Sequence, residues 1–183
     1  MTNSTHEQVI EQTKKWLTDV VVGCNFCPFA GREVKRNSIH YQVETGTTLE
    51  AGLQALMKEC MRLDDDASIE TTLLIFPNGF AKFEAYLDLV DLAEKLLKKE
   101  KYEGIYQVAS FHPEYQFAGS PADDAANYTN RSVYPMLHLL REESIEKALE
   151  HYKGDPGEIP VRNIEFAREK GPAYMKMLRN SCL

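Results

Sequence analysis

The chain has no long apolar run. Its longest, Leu73-Leu74-Ile75-Phe76, stops at Pro77. A membrane-spanning helix needs about 20 apolar residues in a row, so this run is far too short. The opening MTNSTHEQVI is polar and lacks the apolar centre of a secretory signal, which points to a cytoplasmic protein. Positive charge is not in excess either. The 21 Lys and Arg against 28 Asp and Glu leave a net charge of −7. A nucleic-acid backbone is therefore not an expected partner, because proteins that bind one usually carry a basic face. Cysteine is sparse: Cys24, Cys27, Cys60 and Cys182, with no second CxxC. Without a secretory signal these are expected to be reduced thiols. Repeats and low-complexity segments are absent.

What is present suits one globular domain, residues 1–183. Hydrophobic residues make up 43% and charged residues 27%, a balance that supports a substantial core. The pattern alternates helix and strand. Val9, Ile10, Trp16, Leu17, Val20 and Val21 follow a helical period that Gly23 is placed to stop. Residues 39–44 alternate as a strand. Residues 48–62 put Leu49, Leu53, Leu56, Met57 and Cys60 on one helical face, and TTLLIF before PNG reads as a buried strand. A helix over 81–100 and a third strand in GIYQVASF complete the series. Strands alternating with helices predict an α/β fold: a small, mainly parallel sheet of three or four strands with helices packed on it. Residues 111–135 show no period and read as a long irregular loop. After it, a strand is expected at 136–140 and a helix from 145, with Ser144 as N-cap. KGDPGEIP reads as a turn, and 161–180 as a final helix broken near Gly171-Pro172.

Parallel strands send their following loops to one sheet edge, where open α/β folds bind ligands. That edge would gather Glu44, Thr47, Asn78 and His112. The long loop starts there and is dense in chemistry. His112 is a candidate general acid or base. Asp123 and Asp124, with His112, are a candidate set for a divalent metal. Asn127, Tyr128, Asn130 and Arg131 could bind a small anionic ligand, Arg131 with paired hydrogen bonds. Tyr115, Phe117 and Tyr134 could wall the pocket. Each residue also has a structural reading. His112 beside Pro113 could be a turn residue, ADDAAN could cap a helical turn, Arg131 could pair with Glu142 or Asp124, and the tyrosines could be core.

The pair Cys24 and Cys27 has redox spacing. Yet it follows a predicted helix, whereas a redox pair usually opens one. Structural zinc would need ligands that Cys60 and Cys182 do not supply. Cys27 before Pro28 could instead cap a short helix, PFAG, whose dipole would favour a thiolate; that makes it a candidate nucleophile. It could equally be a small buried residue.

The stretches WLTDVVVGCNFCPFA, FHPEYQFAG and DDAANYTNRSVYPMLHLLRE resemble the family known as domain of unknown function 1415, found in bacteria and plants and without an assigned activity. The likeness covers nearly the whole chain. Gly23, Asn25, Cys27, Pro28, Phe29 and Ala30 match its CPFA motif, and Cys24 departs from it at a position where the family has an apolar residue. His112, Tyr115, Phe117, Gly119, Asp124, Asn127, Tyr128, Asn130, Arg131 and Pro135 match as well. The resemblance thus implies that the long loop is the family's signature. The leading expectation is an enzyme or binder of a small anion, with His112, Asp124 and Cys27 as catalytic candidates. The alternatives are a protein-docking module built on loop 112–135 and a thiol-redox protein using Cys24 and Cys27.

Overall fold

The computed structural model describes residues 5–183. Helix α1 (His6–Trp16) is capped by Thr5, whose hydroxyl accepts from the Gln8 amide. It runs on into a π-helical stretch, Leu17–Val22. There the turns widen, and the Gly23 amide reaches back to the Thr18 carbonyl at 2.9 Å. Gly23 ends the helix in right-handed geometry, and a side chain there would collide with the Asp19 carbonyl. Crowding, not a left-handed turn, is what requires glycine here.

The remaining helices are α2 (Ala30–Arg36), α3 (Leu49–Asp65), α4 (Phe83–Lys99), α5 (Glu142–Glu150), α6 (Glu158–Lys170) and α7 (Pro172–Asn180). The strands are β1 (Ile39–Val43), β2 (Thr71–Ile75), β3 (Tyr106–Phe111) and β4 (Met136–Arg141), in the sheet order β1-β2-β4-β3. β1 and β2 are parallel, and β4 lies antiparallel to both β2 and β3. The fold is α/β as expected, but the sheet is mixed rather than mainly parallel. The reason lies in the long loop. It contains only one short 3-10 turn, Ala125–Thr129, so the chain makes no crossover after β3. It returns from the edge at which it left and fills the gap between β2 and β3.

Other expectations also shift. The helix after β4 starts at Glu142, with Arg141 at its N-cap in extended geometry, so Ser144 lies inside the first turn. The Arg141 guanidinium holds that corner by donating to the carbonyls of Leu63, Asp66 and Ile69. α6 takes in Glu158, Ile159 and Pro160 from the expected turn, because a first-turn proline forfeits no helical hydrogen bond. PFAG is not a helix capped by Cys27: α2 begins at Ala30 with Phe29 at its N-cap.

Strand alternation gives the sheet two apolar faces. α3 and α4 cover one, with Leu56, Leu63, Leu89 and Leu97 against Leu74, Phe76, Leu137 and Leu139. α1 and its π-helical extension cover the other, with Trp16 and Val20 against Val43, Leu73, Ile75 and Met136. Ala125 and Tyr128 of the long loop join this second core, together with Ala167 of α6 and Met175 of α7. The loop is therefore built into the protein, not draped over it.

Candidate functional site

β1, β2 and β3 all run the same way, so their following loops do meet at one edge. The amide of Glu44 donates to the Ile75 carbonyl, and the amide of Phe76 to the Pro135 carbonyl. Gly79 packs so closely on the loop after β1 that a Cβ would sit 3.1 Å from the Gly46 oxygen and 3.2 Å from the Thr47 Cα. Phe80 takes a positive φ of 58°, a conformation that costs a non-glycine residue about 1–2 kcal/mol.

His112 secures that bend. It is fully buried, and its Nε2 lies 2.9 Å from the Phe80 carbonyl. A carbonyl only accepts, so Nε2 carries the proton. Nδ1 in turn accepts from the Glu114 amide at 2.9 Å. Burial pushes the imidazole below its usual range, partly offset by the Phe80 bond. Phe83 and Tyr86 pack on the ring. Both nitrogens are thus committed to backbone, and neither is free to take a substrate proton in this arrangement.

Other loop residues are similarly engaged. Asn127 is fully buried, accepting from the Phe117 amide at 3.0 Å and donating to the Pro121 carbonyl at 2.9 Å. Asn130 donates to the Ser110 carbonyl. Asp124 caps the 3-10 turn through the Ala126 amide and also accepts from the Ser120 hydroxyl. Arg168 of α6 donates to both its oxygens, at 3.1 and 2.7 Å. That pairing holds the Asp124 carboxyl well below the usual carboxylate range. Its partner is Arg168, not Arg131. Asp123 is exposed. Among the described residues, no three His, Cys, Asp or Glu side chains are grouped to hold a metal ion, so Asp123, Asp124 and His112 are not brought together as one set.

Cys24 and Cys27 pack against the core that Ala125 and Tyr128 of the long loop also join. The turn carrying these two thiols is held by α6, where Arg162 donates to the Asn25 carbonyl and Asn163 to the Phe26 carbonyl. All four cysteines are free. Burial pushes the Cys24 thiol up, with Lys170 acting the other way. Among the described residues no hydrogen bond joins the Cys27 thiol to His112, Asp124 or Arg131. Asn78 is exposed and likewise forms no hydrogen bond with them.

Arg131 is different. Its Nε donates to the Tyr115 carbonyl at 2.9 Å and its Nη2 to the Ala122 carbonyl at 2.8 Å. Its guanidinium lies over the Tyr128 ring, 4.7 Å from the centroid. A second guanidinium, from Arg179 of α7, lies 5.9 Å from the same centroid and donates to the Pro113 carbonyl at 2.7 Å. Burial draws Arg179 below its usual value, as does nearby Arg131, while Tyr128 and Glu114 act the other way. Among the described residues neither arginine has a carboxylate within ion-pair distance. The result is two half-buried positive charges on one buried tyrosine ring, in a chain of net charge −7.

The sequence of this chain matches, over residues 8–177, the family described as Protein of unknown function (DUF1415). The chain belongs to this family. No curated protein and no solved structure matches it. In this DUF1415 chain the tyrosines of the long loop turn inward: Tyr128 is buried, and Tyr115 and Tyr134 are half-buried. Arg168 and Arg179 escaped the sequence reading. Both lie on the C-terminal helices, far along the chain from the residues they meet, and no local spacing marks them. No helix among the described residues is long and apolar enough to cross a membrane.

Proposed function

We propose that this chain is a single cytoplasmic domain that binds a small anion at Arg131, Arg179 and Tyr128. The observation that carries this reading is the pair of guanidiniums on one tyrosine ring with no carboxylate to neutralise them. Two like charges held half-buried on one ring are unfavourable alone and favourable around an anion. Arg131 bonds through Nε and Nη2 only, so both N–H groups on Nη1 remain for a ligand.

Binding is favoured over catalysis because the loop's histidine has both nitrogens in use. Thiol-redox chemistry is disfavoured by the raised Cys24 pKa, the opposite of an activated thiol. A docking role for the loop is disfavoured by its inward tyrosines.

Calorimetric titration with sodium sulfate at low ionic strength tests the proposal. A charge-assisted hydrogen bond contributes about 1.5–3 kcal/mol. Arg131→Met should therefore weaken sulfate binding about tenfold or more, and Arg131→Lys should weaken it less. Equal affinity in wild type and both variants would reject this arginine pair as the binding site.

A further inference from the structure

The arginine pair also constrains the charge of its ligand. Arg131 and Arg179 are anchored by the carbonyls of Tyr115 and Pro113, two positions apart in one turn. The Tyr115 amide closes that turn by donating to the His112 carbonyl at 3.0 Å. Carbonyl anchors orient guanidiniums without cancelling their charge. Glu114 lies between the two anchors in sequence, but it is exposed and pairs with neither arginine among the described residues. Both arginines therefore keep a positive charge that no ion pair among the described residues cancels.

A carboxylate or other monoanion would compensate only one of them. A dianion compensates both, and half-burial makes the difference count, because water screens the leftover charge less. Geometry adds a second constraint. The free Nη1 of Arg131, the remaining N–H groups of Arg179 and the Tyr128 hydroxyl, which makes no hydrogen bond among the described residues, are three donor sets around one ring. A tetrahedral group presents three terminal oxygens from one centre, whereas a carboxylate presents two in one plane. We infer that the ligand class of Arg131, Arg179 and Tyr128 is a phosphate monoester in its dianionic form; this rests on the anion-site reading above.

Methyl phosphate and methyl sulfate separate charge from shape. Both are tetrahedral esters with three terminal oxygens, but methyl sulfate carries a single charge at every working pH. The second pKa of a phosphate monoester is about 6. Titrations of each, with acetate as a planar monoanion, would be run at about pH 7.5 and about pH 5. Methyl phosphate should bind at least about tenfold more tightly than methyl sulfate at the higher pH. It should lose about tenfold at the lower pH, where about a tenth remains dianionic. Methyl sulfate affinity should not change. Arg179→Met should erase the preference and Arg179→Lys should keep part of it. If methyl sulfate or acetate binds as well as methyl phosphate at the higher pH, the dianion inference fails while the anion site stands. If none of the three binds, the anion-site reading itself fails.

Discussion

His138 gives the most quantitative test of the structure. It sits in the middle of β4, facing the α1 side of the sheet, and its Nε2 lies 2.7 Å from the Thr71 hydroxyl. That hydroxyl donates to the Leu139 carbonyl at 2.6 Å. Its proton is committed there, so Nε2 must be the donor. Burial alone pulls the imidazole from 6.5 down to about 4. In the unfolded chain it would protonate near pH 6.5. The unfolded state therefore binds more protons between those values, and stability falls as pH drops through that window. At pH 5 the linkage relation gives a loss of about 2 kcal/mol relative to pH 7.5. His138 as a residue is only half-buried, so about 1–2 kcal/mol is the expected figure. His112 titrates in the same direction, so wild type alone is not diagnostic. The comparison is with His138→Gln, which can still donate to Thr71 but carries no titrating proton. Urea unfolding at both pH values should show wild type losing about 1–2 kcal/mol more than the variant. Equal losses would refute a His138 that is neutral in the folded protein down to about pH 5.

Two further substitutions test how the long loop and the sheet are held. Asn127→Ala would leave the Phe117 amide and the Pro121 carbonyl without partners, and should cost about 2–4 kcal/mol by urea unfolding. A loss under about 0.5 kcal/mol, the scale of an inert surface substitution, would mean that Asn127 does not staple the loop. Thr72 is fully buried on β2, and its hydroxyl has no partner. Thr72→Val should therefore be neutral or raise stability by about 1 kcal/mol, and a clear loss would reveal a partner for that hydroxyl.

Most of the fold was legible because its helices and strands carry clean apolar periods. Trp16, Val20 and Val21 mark one helical face, and Leu73 to Phe76 mark a strand buried on both sides. The direction of β4 was not legible. Direction depends on where the chain comes from, and the sequence of residues 112–135 does not announce that the loop folds back at the edge it left. Cys27 misled for a related reason: Pro28 permits a helix start but does not compel one, and α2 waits until Ala30. The chemistry of the loop was visible as a concentration of polar residues, but their roles were not. His112, Asp124 and Asn127 are alike in kind to catalytic residues, and only their partners, the Phe80 carbonyl, Arg168 and the Phe117 amide, reveal them as staples. Arg131 alone gains from the fold, because Arg179 joins it from a helix near the end of the chain.

The central claim is that an anion is held by Arg131 and Arg179. Chemical-shift mapping of the arginine Nε–H groups during a methyl phosphate titration tests it most directly. The account predicts saturable shifts at Arg131 and Arg179, with Arg141 and Arg162 unmoved. Shifts spread evenly over all four, or confined to Arg141 and Arg162, would contradict it.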